Sequence, residues 1–284
     1  MSSAVDLDNP PGDTNAADRP RRRRDWGRTL IRGIGQTLIT FGLVALLFVG
    51  YELWVTDYLA ARAQDQLSEQ IQEQWADTPT VTPVEPAEPA PGQPAPAEPA
   101  PFTPTPIDVG LGDPFAVLHI PRLGADYSRV VVEGASEVEL EQGPGHYIDT
   151  AMPGEQGNFA VAGHRVGRGS PFLDLDQMRP GDPIVVETAD AWFVYRVLGD
   201  PATGDFGTDP SGIPGQEIVR PTDVAVISPT PGGPADGATS GAYLTLTTCH
   251  PKYSARQRLV IHARLDGAPL GKAEAPDGPA ALAG

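Results

Sequence analysis

Between residues 107 and 266 the apolar side chains fall into eight short runs rich in β-branched residues: FAVLHI (115–120), RVVVEG (129–134), NFAVAGH (158–164), PIVVET (183–188), AWFVYRVL (191–198), VAVISP (224–229), AYLTLTTC (242–249) and RLVIHARL (258–265). Turn sequences such as PGEQG, RPGD and TPGGPADG separate them, and runs of this length bounded by such residues read as strands. Eight strands in one segment require each to pair and to bury a face, which predicts an all-β barrel or sandwich. Only VELEQG near 138 and SPFLDLDQM near 170 read as helical, and both are brief.

The residues before this unit have a different character. Residues 1–32 are polar and basic, with Arg21 to Arg24, Arg28 and Arg32, and read as a disordered cytoplasmic tail. The run GIGQTLITFGLVALLFVGY from Gly33 to Tyr51 carries no charge and continues to Val55 across Glu52. Roughly 20 such residues span the hydrocarbon core of a bilayer, so 33–55 is expected to be a transmembrane helix. Its end at Tyr51, Trp54 and Tyr58 resembles an interfacial aromatic belt more than a signal-peptide cleavage site. Arginines on its N-terminal side predict a single pass with the N-terminus cytoplasmic and the rest of the chain outside the cell.

Residues 56–78 have helix-forming composition, with Leu59, Ala63, Leu67, Ile71 and Trp75 four apart, and predict a juxtamembrane helix able to self-associate. Residues 79–106 repeat Pro, Ala, Glu and Thr and read as an extended linker that spaces the catalytic unit (107–266) from the membrane. Residues 267–284 read as a disordered tail. The formal net charge is −17, and the first 32 residues hold seven Arg against five acids, so the body is strongly acidic. An acidic body argues against nucleic acid as a partner.

Cys249 is the only cysteine, so the chain has no intramolecular disulfide and no CxxC pair. A lone thiol is either a buried structural group or a reactive one. In a strand over 243–249, Tyr243, Thr245, Thr247 and Cys249 share one face, while Leu244, Leu246 and Thr248 share the other. Pro251 ends that strand, which leaves Cys249 beside a loop and open to reaction. A cysteine nucleophile needs a base or cation to hold its thiolate and donors for an oxyanion. Of the five histidines, His119 and His262 lie inside apolar runs, His250 points away from its neighbour, and His146 sits in the turn-rich GPGHY. His164, at a strand end after Gly163 and before Arg165, leads without excluding the others. Arg256, Arg258 and Arg264 are the nearby arginines, and Arg258 opens a strand that the HPKYSARQ loop turns back beside Cys249. Spacing alone leaves it equally well a solvated edge charge.

TLTTC, the Arg-Leu-Val-Ile that begins nine residues after its cysteine, and AVAGHR upstream together resemble the sortase family over about residues 113–265. The resemblance implies the eight-stranded sortase β-barrel, with Cys249 as nucleophile, His164 as acid/base partner and Arg258 as oxyanion stabiliser. GPGHY, PGEQGNFAVAGHR and TCHPKYS resemble class E sortases of high-GC Gram-positive bacteria. That class implies a preference for LAxTG over LPxTG sorting signals, with Tyr147 associated with the choice; Thr248 is expected to line the substrate groove. The implied partners are secreted proteins bearing such signals and an amine on a peptidoglycan precursor. No metal cluster is visible in the sequence, and the implied chemistry needs no cofactor. A pilin-polymerising sortase, a cysteine hydrolase and a non-catalytic wall-binding scaffold are the alternatives.

Overall fold

Alternation of apolar and polar side chains places one face of each run inside a common core. In the computed structural model, which describes residues 26–51, 56–76, 102–207 and 209–283, the strands are β1 (Pro114–His119), β2 (Ser128–Glu133), β3 (Gly145–His146), β4 (Gly157–Ala162), β5 (Pro183–Glu187), β6 (Ala191–Val197), β7 (Gln216–Val219), β8 (Ala242–His250), β9 (Gln257–Leu265) and β10 (Leu270–Gly271). Eight of them run in the order β6-β5-β1-β2-β3-β4-β8-β9. The ring closes where Tyr195, Arg196 and Val197 pair with Leu265, Arg264 and Ala263. Closure removes the exposed edges that an open sheet would leave. β10 extends the sheet beside β6, and β7 pairs with the first half of β9. The pairs β2–β3 and β4–β8 are parallel, so the barrel is mixed. Its interior is filled by Phe115, Leu118, Phe159, Val161, Ile184, Phe193, Leu244, Leu246, Leu259 and Ile261.

The expected barrel is present with eight strands, but its membership differs from the eight runs. VAVISP is not a strand: Val224–Ile227 form a 3-10 turn, and the Asn158 side-chain amide donates to the carbonyls of Val226 and Ser228, which have no strand partner. Its place in the ring is taken by β3, inside the segment read as a turn-rich loop. The brief helix α3 (Glu137–Leu140) forms where VELEQG predicts it, held by a capping box in which Ser136 and Glu139 satisfy each other's backbone and side chain. The stretch near 170 is turns followed by a 3-10 segment at Leu175–Gln177.

Among the described residues, α1 (Trp26–Gly50) is the one helix long and apolar enough to cross a membrane, which suits an anchor or a signal sequence. Residues 1–25, 52–55 and 77–101 lie outside the described residues, and with them most of the expected basic tail, the end of the expected span and most of the Pro-rich linker; residues 26–32, expected in that tail, belong to α1.

The second helix, α2 (Thr56–Ala76), uses its apolar stripe on its own domain: Leu67, Ile71 and Trp75 pack against Val117, Val130 and Val132 of β1 and β2. Leu59 is left exposed. Gln64 does what a neighbouring strand would do for β2, accepting from the Val130 N–H (2.8 Å) and donating to the Val130 carbonyl (3.2 Å) and the Gln142 carbonyl (2.8 Å). Of the expected linker 79–106, residues 102–106 are described and attach to the domain: Phe102 packs on the core and Thr105 donates twice to Asp190. The tail after 266 is also placed. β10 pairs with Trp192 and Ala191, the Trp192 indole donates to the Ala275 carbonyl (3.0 Å), and the Lys272 ammonium sits 3.9 Å from the Trp75 ring centroid and 2.8 Å from Glu187. A composition poor in large apolar residues hides this attachment, because the tail is held by backbone pairing, the Trp192 hydrogen bond and the contacts of Lys272 with Glu187, Trp75 and Trp192.

Candidate active site

Leu244 and Leu246 face the barrel interior, so Thr245, Thr247 and Cys249 face the other side of β8. β9 returns antiparallel with Cys249 directly opposite Arg258. On the other side β4 runs parallel to β8, with Ala162 opposite Thr247. The register continues past the strand: the Gly163 N–H donates to the Thr247 carbonyl (3.1 Å), and the Thr248 hydroxyl donates to the Gly163 carbonyl (2.8 Å). The next residue, His164, therefore leaves β4 beside the end of β8 that carries Cys249. Gly163 is needed here for space, since a Cβ would meet the Phe172 ring at 2.6 Å. The Phe172 N–H in turn donates to the His164 carbonyl (3.1 Å).

Cys249, His164 and Arg258 are each partly exposed, as groups that meet a substrate must be. The Arg258 guanidinium donates through Nη1 to the carbonyls of Ala255 and Gln257, both at 3.1 Å, which steers it along the loop between β8 and β9. Burial first, and then the positive charge of Arg168, hold the His164 pKa below its ordinary value, while Glu141 and Glu137 pull it back up. Arg168 is itself ion-paired with Glu141.

The other four histidines are committed elsewhere. His119 bonds Glu187 (2.9 Å), His146 is buried against Glu133 (2.7 Å), and His262 bridges Thr245 (2.8 Å) and Glu217 (3.0 Å). His250 accepts at Nδ1 from Arg165 (2.9 Å). The His164 ring makes no hydrogen bond among the described residues, which leaves its nitrogens for a reacting group.

The Tyr147 hydroxyl lies 2.9 Å from Thr247 Oγ1, on the face of β8 that Cys249 shares. Thr248 does not line that face. It is buried, points to the opposite side of the strand and spends its hydroxyl on Gly163, so its part is to hold β4 to β8. Strand parity in the sequence already separates it from Cys249 and favours Thr247. Arg165, which the sequence marks only as the neighbour of His164, has its side chain buried among four polar partners. Among the described residues no group of His, Cys, Asp and Glu is arranged to hold a metal ion.

A family profile described as the sortase domain matches residues 118–266. Sortase SrtE1 of Streptomyces coelicolor is 34% identical over 88% of this chain, and Sortase SrtE2 of the same organism is 33% identical over 86%. The chain spans 61% of the length of SrtE1 and 87% of that of SrtE2. Among solved structures, the SrtF sortase from Corynebacterium diphtheriae superposes with a TM-score of 0.57 at 40% identity, covering 63% of this chain and 96% of that one.

Proposed function

We propose, for a chain that belongs to the sortase family, that it cleaves a C-terminal LAxTG- or LPxTG-type sorting signal between Thr and Gly and joins the shortened protein to a cell-wall amine. The observation that carries this reading is the meeting of three strand ends: Cys249 opposite Arg258 on β9, and His164 at the end of β4, tied to β8 through Gly163.

In the reaction, the Cys249 thiolate attacks the threonine carbonyl carbon, and the negative charge that develops on its oxygen is met by the Arg258 guanidinium, which presents paired donors and keeps its charge. Protonated His164 gives its proton to the departing glycine amine as the C–N bond breaks, leaving a Cys249 thioester. Neutral His164 then takes a proton from the incoming amine, which attacks the thioester and releases the thiolate. Tyr147 is the residue to which we assign the choice at the position after the leading Leu, because its hydroxyl sits on Thr247, two residues before the nucleophile. The likeness to SrtE1 and SrtE2 supports a class E reading. For localisation, α1 serves as an uncleaved single-pass anchor with the arginine-rich N-terminus in the cytoplasm and the barrel outside, in accord with the charge bias of its flanks.

The test is to incubate the full-length protein in detergent with LAETG and LPETG peptides, each with and without a glycine-type amine in excess. Amine-dependent joined product, larger for LAETG, is expected. Hydrolysis alone in excess amine would refute the transferase reading, and equal rates for the two peptides would refute the class E preference.

A further inference from the structure

Arg165 follows His164 directly, yet its side chain turns inward and is buried, 2% exposed. Its guanidinium joins two distant segments of chain. Nη1 donates to the Cys249 carbonyl (3.4 Å) and to His250 Nδ1 (2.9 Å), Nη2 pairs with Asp176 Oδ1 (2.9 Å), and Nε donates to the Leu173 carbonyl (3.4 Å). A residue covalently next to the acid/base candidate thus holds the backbone of the nucleophile itself, and the turn at 173–176 holds the guanidinium from behind. A lysine would offer one point charge in place of a planar fork that reaches partners in different directions.

The contact with His250 also has a chemical consequence. An arginine has donors only, so His250 Nδ1 is the acceptor in this contact. His250, the histidine next to Cys249 in sequence, thereby spends that nitrogen on Arg165 and does not offer it to the thiol.

We propose that Arg165 is a positioning residue that fixes His164 against Cys249 and withholds His250 from the same role. This rests on the assignment of Cys249 and His164 above. The separation of thiolate and imidazolium sets how well each charge supports the other, and a displacement of about 1 Å in a reacting group costs on the order of a hundredfold in rate.

The experiment compares full-length wild type, Arg165→Met, Arg165→Lys, His164→Ala and the double variant R165M/H164A. Two readouts are taken: turnover of LAETG peptide with amine, and the pH midpoint for alkylation of Cys249 by iodoacetamide, which needs neither substrate groove nor leaving-group protonation. For R165M we expect kcat to fall about ten- to a hundredfold with KM changed less than about twofold. Its alkylation midpoint should move up toward that of H164A, with R165K between R165M and wild type and the double variant no higher than H164A alone. An R165M midpoint equal to wild type, or a shift that adds fully to that of H164A, would overturn the proposal. Should circular dichroism find R165M unfolded, R165K and Asp176→Asn decide by the same midpoint, and wild-type midpoints in both would be equally fatal. If wild type itself turns over no sorting peptide, the transpeptidase reading fails while the midpoints still judge the coupling of Arg165 to the thiol.

Discussion

Replacing Ile71 by alanine should detach α2 from the barrel without unfolding the barrel itself. Ile71 is 1% exposed, packed with Leu67 against Val117, Val130 and Val132. The substitution removes three buried carbons at about 0.8 kcal/mol each, and the space left behind brings the loss into the range of about 2–5 kcal/mol found for such truncations. Against this stand the three hydrogen bonds of Gln64 and the one from the Gly169 N–H to Asp57 Oδ1 (3.0 Å), each worth roughly 1 kcal/mol net. A loss of about 3 kcal/mol shifts the docking equilibrium on the order of a hundredfold. Once detached, a helix of this length and polar composition is marginal in water and should melt. The assay is amide hydrogen exchange on the full-length protein. Faster exchange is expected across α2, at the Val130 N–H and at the Gly169 N–H, with the β8 and β9 amides unchanged. Unaltered protection of α2 and Gly169 in this variant would refute the view that the stripe docks the helix.

Further outcomes follow from the site. Arg258→Lys keeps the charge and loses the planar pair of donors, so kcat should fall about a hundred- to a thousandfold in steady-state peptide turnover, while Cys249→Ala should abolish it. Because Arg168 lowers the His164 pKa and Glu141 raises it, Arg168→Gln should move the ring titration seen by NMR to higher pH, and Glu141→Gln to lower pH. Since the folded-state pKa of His164 lies below its ordinary 6.5, the unfolded chain binds the proton first. The protein should therefore lose stability in urea melts as pH falls through about 6.5 toward the lowered value. Tyr147→Phe removes the bond to Thr247, worth roughly 1 kcal/mol, and should change the ratio of kcat/KM for LAETG and LPETG peptides while leaving iodoacetamide reactivity of Cys249 intact. Gly163→Ala drives a Cβ into the Phe172 ring and should cost about 1–3 kcal/mol in thermal denaturation.

What could be read in the sequence follows the physics of strands. The alternation from Tyr243 to Cys249 is long enough to set parity, so the strand-end position of the thiol and the opposite facing of Thr248 were both legible. The return of Arg258 needed only a short loop. β7 was not legible, because Gln216 and Glu217 interrupt an edge strand that is half solvent-facing. β3 is two residues long and owes its pairing to the neighbours Val132 and Ala162. Val224–Ile227 misled in the opposite sense, since a β-branched run reads as a strand even where a side-chain amide from Asn158 takes its carbonyls. The stripe of α2 announced an apolar face but not which surface would cover it. The inward turn of Arg165 depends on carbonyls from two distant segments, and no local pattern encodes that.

The docking of α2 makes the helix a piece of the barrel in its own right. Its stripe and Phe102 pack on one body through separate contacts, so α2 does not depend on the covalent link between them to stay in place. A protease cut anywhere between Ala76 and Phe102 should leave α2 bound to β1 and β2 through Leu67, Ile71 and Trp75.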